Sequence, residues 1–147
     1  MGDFNPEDPL SVNTIRQNCF MYNAGTSLAY QNLMNHAVRK HYKYGRDLAP
    51  ELETLPPAAN HLPPGFVNEL RITLNENFDH PENPTIFYAQ RSAVASIMES
   101  FLPWLRQHPG FCAAIKGDPV WDALLVKVEA DIKEYQELGH VYEGMFA

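Results

Sequence analysis

Between Asn83 and His108 the chain reads N-P-T-I-F-Y-A-Q-R-S-A-V-A-S-I-M-E-S-F-L-P-W-L-R-Q-H, and this stretch limits the fold more than any other. Asn83 suits an N-cap, and Pro84 suits the first helical position, where its missing N–H would be unsatisfied anyway. Behind them Ile86, Phe87, Val94, Ile97, Met98, Phe101, Leu102 and Leu105 cover most of a helical circumference. Polar residues are confined to a narrow stripe through Ser92, Ser96, Glu99 and Arg106. A helix apolar nearly all round is normally enclosed by other elements. The expected fold is therefore all-α: a single-domain helical bundle of four to five main helices around a central apolar helix at about 84–107.

The rest of the chain supplies partners for that helix. Residues 1–9 read as a loose leader, and Asp8-Pro9 or Ser11 starts the first helix. Val12, Ile15, Cys19, Tyr22, Ala29, Leu33 and Ala37 follow at steps of three, four or seven. Gly25 either breaks this helix or marks a close crossing by another; continuity with a close crossing is the expectation. Gly45 suits the helix's C′ position. Residues 47–65 form a Pro-rich connector, expected to be extended and strapped over the domain, with Leu-Pro-Pro occurring twice. Val67, Leu70, Leu74 and Phe78 step as a helix starting near Gly65-Phe66. In the central helix Pro103 should cause a kink, with Trp104 filling the gap on the convex side.

Phe111–Lys116 makes one or two further turns. Asp118-Pro119 then pairs an N-cap with a first-position proline, the cleanest boundary in the chain. The last helix places Trp121, Leu124, Leu125, Val128, Ile132, Tyr135 and Leu138 on one face, with Gly139 as its cap. Asp122, Lys127, Glu129, Asp131, Lys133, Glu134 and Glu137 are expected largely on the other face, with Glu129–Lys133 as an i,i+4 pair. The tail at 140–147 still carries Val141, Tyr142, Met145 and Phe146, unusual for a frayed end, and is expected either to tuck back on the bundle or to contact another chain.

Composition narrows the function classes. A 45% hydrophobic fraction with 12% aromatic residues excludes global disorder. A net charge of −7 argues against general nucleic-acid binding, which needs clustered cations, and suits a basic partner. No apolar run approaches the ~20 residues of a membrane-spanning helix, and the first residues lack a secretory pattern. Cys19 and Cys112 both lie in apolar helical surroundings, so two buried thiols in a reducing compartment are expected. The cytoplasm, of the producing cell or of an infected host, is the expected location.

Catalytic patterns do not emerge. The six histidines form neither H-E-x-x-H nor a Cys/His cluster of zinc spacing, and no metal or cofactor is expected. No nucleophile elbow or phosphate-cradling loop is present. Glu99, alone on an apolar helix, either faces water or meets a basic side chain from another helix. His36, Arg39, Lys40, Lys43 and Arg46 share one face at the end of the first helix. Those cations either complement the helix dipole or form an anion- or partner-binding site with Tyr42 and Tyr44 available for stacking.

Two function classes follow from these residues. The first is a non-enzymatic protein–protein interaction protein, such as an inhibitor, an immunity- or antitoxin-like factor or an assembly adaptor. Its partner is another protein, reached through Arg39, Lys40, Lys43, Arg46 and Tyr42, through the acidic last helix, or through the tail residues Val141, Tyr142, Met145 and Phe146. A homodimer through the C-terminal helix or tail belongs to the same class. The second is a small-molecule or nucleotide pocket between helices lined by Tyr22, Tyr30, Phe87, Met98 and Trp104; a self-assembling structural subunit is a further alternative.

Overall fold

A computed structural model describes residues 12–78, 87–139 and 143–144. The leader at 1–9, the Asn83-Pro84 helix start with Ile86, and the tail residues Val141, Tyr142, Met145 and Phe146 lie outside the described residues. The described chain is all-α: α1 (Asn13–Ser27), α2 (Gln31–Thr54), α3 (Phe66–Glu76), α4 (Tyr88–Arg106), α5 (Pro109–Ile115) and α6 (Pro119–Glu134). A single 3-10 turn (Pro57–Ala59) follows α2, and a π-helical turn (Tyr135–Gly139) extends α6.

The expected central helix is α4. Twelve of its side chains are buried, among them Val94, Ile97, Met98, Phe101, Leu102 and Leu105. Its described start is Tyr88, preceded by Phe87 without a side-chain cap. α2 runs beside it in the same direction, as the contacts Tyr42–Ser92 and Leu55–Trp104 show. α1 runs back along α2, and α6 returns along α4, with Arg106 meeting Glu129. Glu129 thus bonds across helices, rather than pairing with Lys133 as its sequence position suggests.

Buried side chains form two apolar clusters. One joins the start of α1, the end of α2, α3, the second half of α4, α5 and the start of α6, around Leu48, Leu70 and Phe101. The other joins the end of α1, the first half of α2 and the start of α4 to Tyr135, around Tyr22, Val38 and Ala93. Fully buried Asn18 and His41 lie where α1 and α2 pass from one cluster to the other, Gln90 lies near the start of α4, and each carries a polar atom without a hydrogen-bond partner.

Several boundaries differ from expectation for identifiable reasons. The first helix is two helices, and the break falls after Gly25. Ala29 adopts a left-handed conformation (φ 53°), its N–H bonds the Thr26 carbonyl, and the Tyr30 N–H bonds the Gly25 carbonyl at 2.7 Å. These two bonds are the Schellman pattern, formed here without glycine at C′. Gly25 instead lets the start of α2 fold tightly back. A Cβ there would sit 2.7 Å from Met34 Cγ, 3.1 Å from the Met34 nitrogen and 3.2 Å from the Tyr30 oxygen.

Gly45 does not cap α2, which runs on through Pro50 to Thr54, so residues 47–54 are helical rather than connector. Pro50 removes one helical hydrogen bond, a cost of about 3 kcal/mol. Burial of Leu48 and Leu52 offsets it at about 1.5–3 kcal/mol each. The shortened connector is a strap. Trp104 Nε1 donates to the Leu55 carbonyl, and His108 Nε2 meets the Asn60 carbonyl, both at 2.6 Å. Trp104 is therefore an anchor for the strap. The other imidazole nitrogen, His108 Nδ1, accepts from the Phe111 N–H and caps α5, which starts at Pro109, ahead of Phe111.

α3 begins as expected after Gly65, whose φ of 76° suits glycine. Asp118 caps α6 as expected, accepting from the Val120 N–H at 2.9 Å. Cys112 is exposed, contrary to the two-buried-thiols expectation, while Cys19 is buried. α5 is short and buries only Phe111, leaving Cys112 on its open side.

Three substitutions separate these glycine and turn effects by thermal or denaturant unfolding. Ala29→Gly is expected to stabilise by about 0.5–1 kcal/mol, because glycine enters the left-handed region without the Cβ penalty. Gly25→Ala should destabilise by about 1–3 kcal/mol, since backbone atoms of the neighbouring turn block the methyl group. Gly45→Ala, whose Cβ would meet Ile97 atoms no closer than 3.4 Å, should stay within about 1 kcal/mol of wild type.

Candidate functional site

Where α2 and α4 lie side by side, their seam is made of small residues: Gly45 and Ala49 on one helix, Ser96 and Ser100 on the other. Each pair is four apart and so falls on one helical face. Short side chains above a close helix contact leave a cleft. Its wide end, about 560 Å³, is walled by Leu52, Leu55, Pro56 and Pro57 on one side and Trp104 and Gln107 on the other, with Glu53 at the rim. Its narrow end, about 170 Å³, is walled by Arg46, Glu99, Tyr135 and Glu143. Ala49 and Ser100 line both ends, so the two ends of the cleft adjoin.

The narrow end is an ordered polar site. Arg46 bonds Glu143 at 3.1 Å, and the Tyr135 hydroxyl donates to the other oxygen of Glu143 at 2.5 Å. Burial pushes the Tyr135 phenol upward, and the bond to Glu143 reinforces the shift. Behind it Tyr42 stacks on Tyr135, ring centroids 6.5 Å apart, and donates to Ser92 Oγ at 3.2 Å. Glu99 is half-buried and makes no hydrogen bond or ion pair among the described residues. Of the four charged residues lining the whole cleft, Glu53, Glu99 and Glu143 are acidic and Arg46 is basic, a net charge of −2.

The sequence-predicted residues fall in different places. Arg39, Lys43 and Arg46 are exposed on one face of α2, and Lys40 is half-buried. Because α2 continues past them, they do not sit at its negative end, so the dipole explanation lapses. Lys43 is paired with Asp47 at 2.8 Å and Arg46 with Glu143. Tyr42 and Tyr44 are each 2% exposed and face the core, so neither offers a stacking surface. The basic group expected beside Glu99 is not bonded to it; Arg46 shares the cleft but pairs with Glu143.

The expected inter-helix aromatic pocket does not form. Tyr22 and Phe87 pack on each other at 5.8 Å, Met98 is core, and Tyr30 is exposed. Among its five residues only Trp104 lines the cleft. Asp131 is also displaced from the solvent face. It is half-buried against α4 in a small cavity with Asn77, Val94 and Met98, and its Oδ2 has no partner.

Cys19 and His41 meet in the core, Sγ to Nε2 at 3.9 Å. Burial, and then Glu76, pushes the thiol up to about 12, while burial drives the imidazole down to about 3. Both groups are held neutral, the reverse of what an activated thiolate requires. Among the described residues no group of three or more His, Cys, Asp or Glu is placed to hold a metal ion. No described helix is long and apolar enough to cross a membrane. Comparison with known proteins gives no match: no family model, no curated protein and no solved structure is similar to this chain.

The two buried titrating groups predict opposite pH effects. Burial raises Asp131 from 3.8 to about 6, so its contribution is fully present below pH 3.8 and is lost as pH rises through about 6. The depressed His41 contributes stability that is present above pH 6.5 and lost as pH falls towards about 3. Relative to wild type, Asp131→Asn should therefore gain stability as pH rises from 4 to 6.5, and His41→Leu as pH falls over the same range. Chemical denaturation at a series of pH values checks this, and pH-independent differences for both variants would contradict the assignment.

Proposed function

We propose that this chain is a non-enzymatic protein–protein interaction protein whose partner contact is the α2–α4 face. One observation carries the reading: a cleft open to solvent sets apolar walls at one end beside fixed charges at the other. Clefts of this kind combine an apolar anchor site with polar groups that set orientation. The exposed row Arg39, Lys43 and Arg46 borders the same face and extends it with charge. An inhibitor, an immunity- or antitoxin-like factor and an assembly adaptor are all consistent with such a surface. A cytoplasmic setting belongs to the same proposal.

Affinity capture from the native host, repeated with charge reversals and a blocked cleft, tests it. Ala49→Trp should fill the cleft floor and reduce capture of the principal partner by at least about tenfold. The triple reversal Arg39→Glu, Lys43→Glu, Arg46→Glu should change capture and its salt dependence. A partner held equally well by both variants, each checked for native helicity, would place the contact elsewhere. Self-association through the C-terminal helix is a separate arm: sedimentation should then show twice the 16.7 kDa of one chain.

A further inference from the structure

Resting on that reading, we infer that the cleft's occupant is an extended basic segment of the partner, with one Lys or Arg in the narrow end and an apolar side chain two residues away in the wide end. Charge complementarity is the first argument. The cleft lining is negative by two, and Arg46 is already matched to Glu143. Glu99 is left half-buried beside them with no hydrogen bond or ion pair among the described residues. A carboxylate in that position is stabilised by an incoming cation and opposed by an incoming anion. The chain's net charge of −7 adds a long-range attraction for the same sign of partner.

Spacing supplies the second argument. Ser100 lines both ends of the cleft, next to Glu99 in the chain and one turn before Trp104, which places the two ends about 6–7.5 Å apart along the α4 axis. Two residues of extended chain span about 7 Å, and alternate side chains point the same way. A basic residue beside Glu99 and an apolar residue against Trp104 and Leu55 therefore fit one strand with a single intervening residue turned outward. The intervening position faces solvent and is free to vary.

The test uses the full chain and synthetic capped hexapeptides carrying Arg-x-Leu, Leu-x-Arg, Glu-x-Leu or Arg-x-Ser, with binding read by chemical-shift changes and by tryptophan fluorescence. At least one of the two basic–apolar orders should bind at least about tenfold more tightly than Glu-x-Leu and Arg-x-Ser, with shifts at Glu99, Ser100 and Trp104. Glu99→Lys should weaken that binding at least about tenfold, Glu99→Gln by less, and added salt should weaken the wild-type complex. Tighter binding of the acidic peptide, or affinity unchanged in folded Glu99→Lys, would overturn the inference, as would no binding of either basic–apolar peptide at millimolar concentration. Failure of the wider reading looks different: the native partner would then be captured unchanged by Ala49→Trp. If Ala49→Trp abolishes capture while Glu99→Lys leaves it intact, the surface stands and the basic occupant does not.

Discussion

The burial of α4 on nearly every side is the constraint from which the rest of the molecule follows. α1, α2, α5 and α6 pack on it, α3 reaches it through Phe66 against Phe101, and Phe101, Ile97 and Leu105 are fully enclosed. Burying each such side chain contributes about 1.5–3 kcal/mol, so displacing this helix would forfeit more than any surface interaction could restore. Polar atoms on a helix in that position have few options. Ser92 finds Tyr42, Glu99 opens onto the cleft, and Gln90 stays unpartnered. The same enclosure that fixes the fold therefore determines where the molecule can present charge.

Between the two apolar clusters the interior is less settled. Asn18, His41 and Gln90 bring into the interior polar atoms that no protein group bonds, and each such group costs about 1–3 kcal/mol where it stays unsatisfied. An interior free of such groups would be more stable. The cleft spans both clusters, since Tyr42 and Tyr135 belong to one while Leu52 and Trp104 belong to the other. Packing at the seam thus couples the charged end of the cleft to one half of the core and its apolar end to the other.

Much of this was legible in the sequence, and the exceptions have physical causes. The circumferential apolar pattern identified α4, and Asp118-Pro119 identified the start of α6, because both signals are local. The α1–α2 break was not legible: it uses Ala29 at a left-handed position, with no glycine or proline to announce it. Gly25 and Gly45 were visible, yet their roles depend on Met34 and Ile97, which other parts of the chain bring near. Pro50 was read as connector because local propensity outweighed the burial of Leu48 and Leu52, which only tertiary packing reveals. Asp131 continues the inward stripe through Leu124 and Val128 at i+3, but its charge disguised the position. The cleft was the least legible feature. Ser96 and Ser100 are small residues four apart on α4, but a cleft requires a matching pair on α2.

Native-state hydrogen exchange tests the central role of α4 most directly. If α4 is enclosed as described, the amides from Ala93 to Leu102 should be the slowest in the chain and should exchange only through global unfolding, with opening free energies equal to the unfolding free energy. Exchange of those amides at subglobal free energies, comparable to those of α3 or α5, would contradict the account: α4 would then be a peripheral element, and the cleft along it would have no rigid floor.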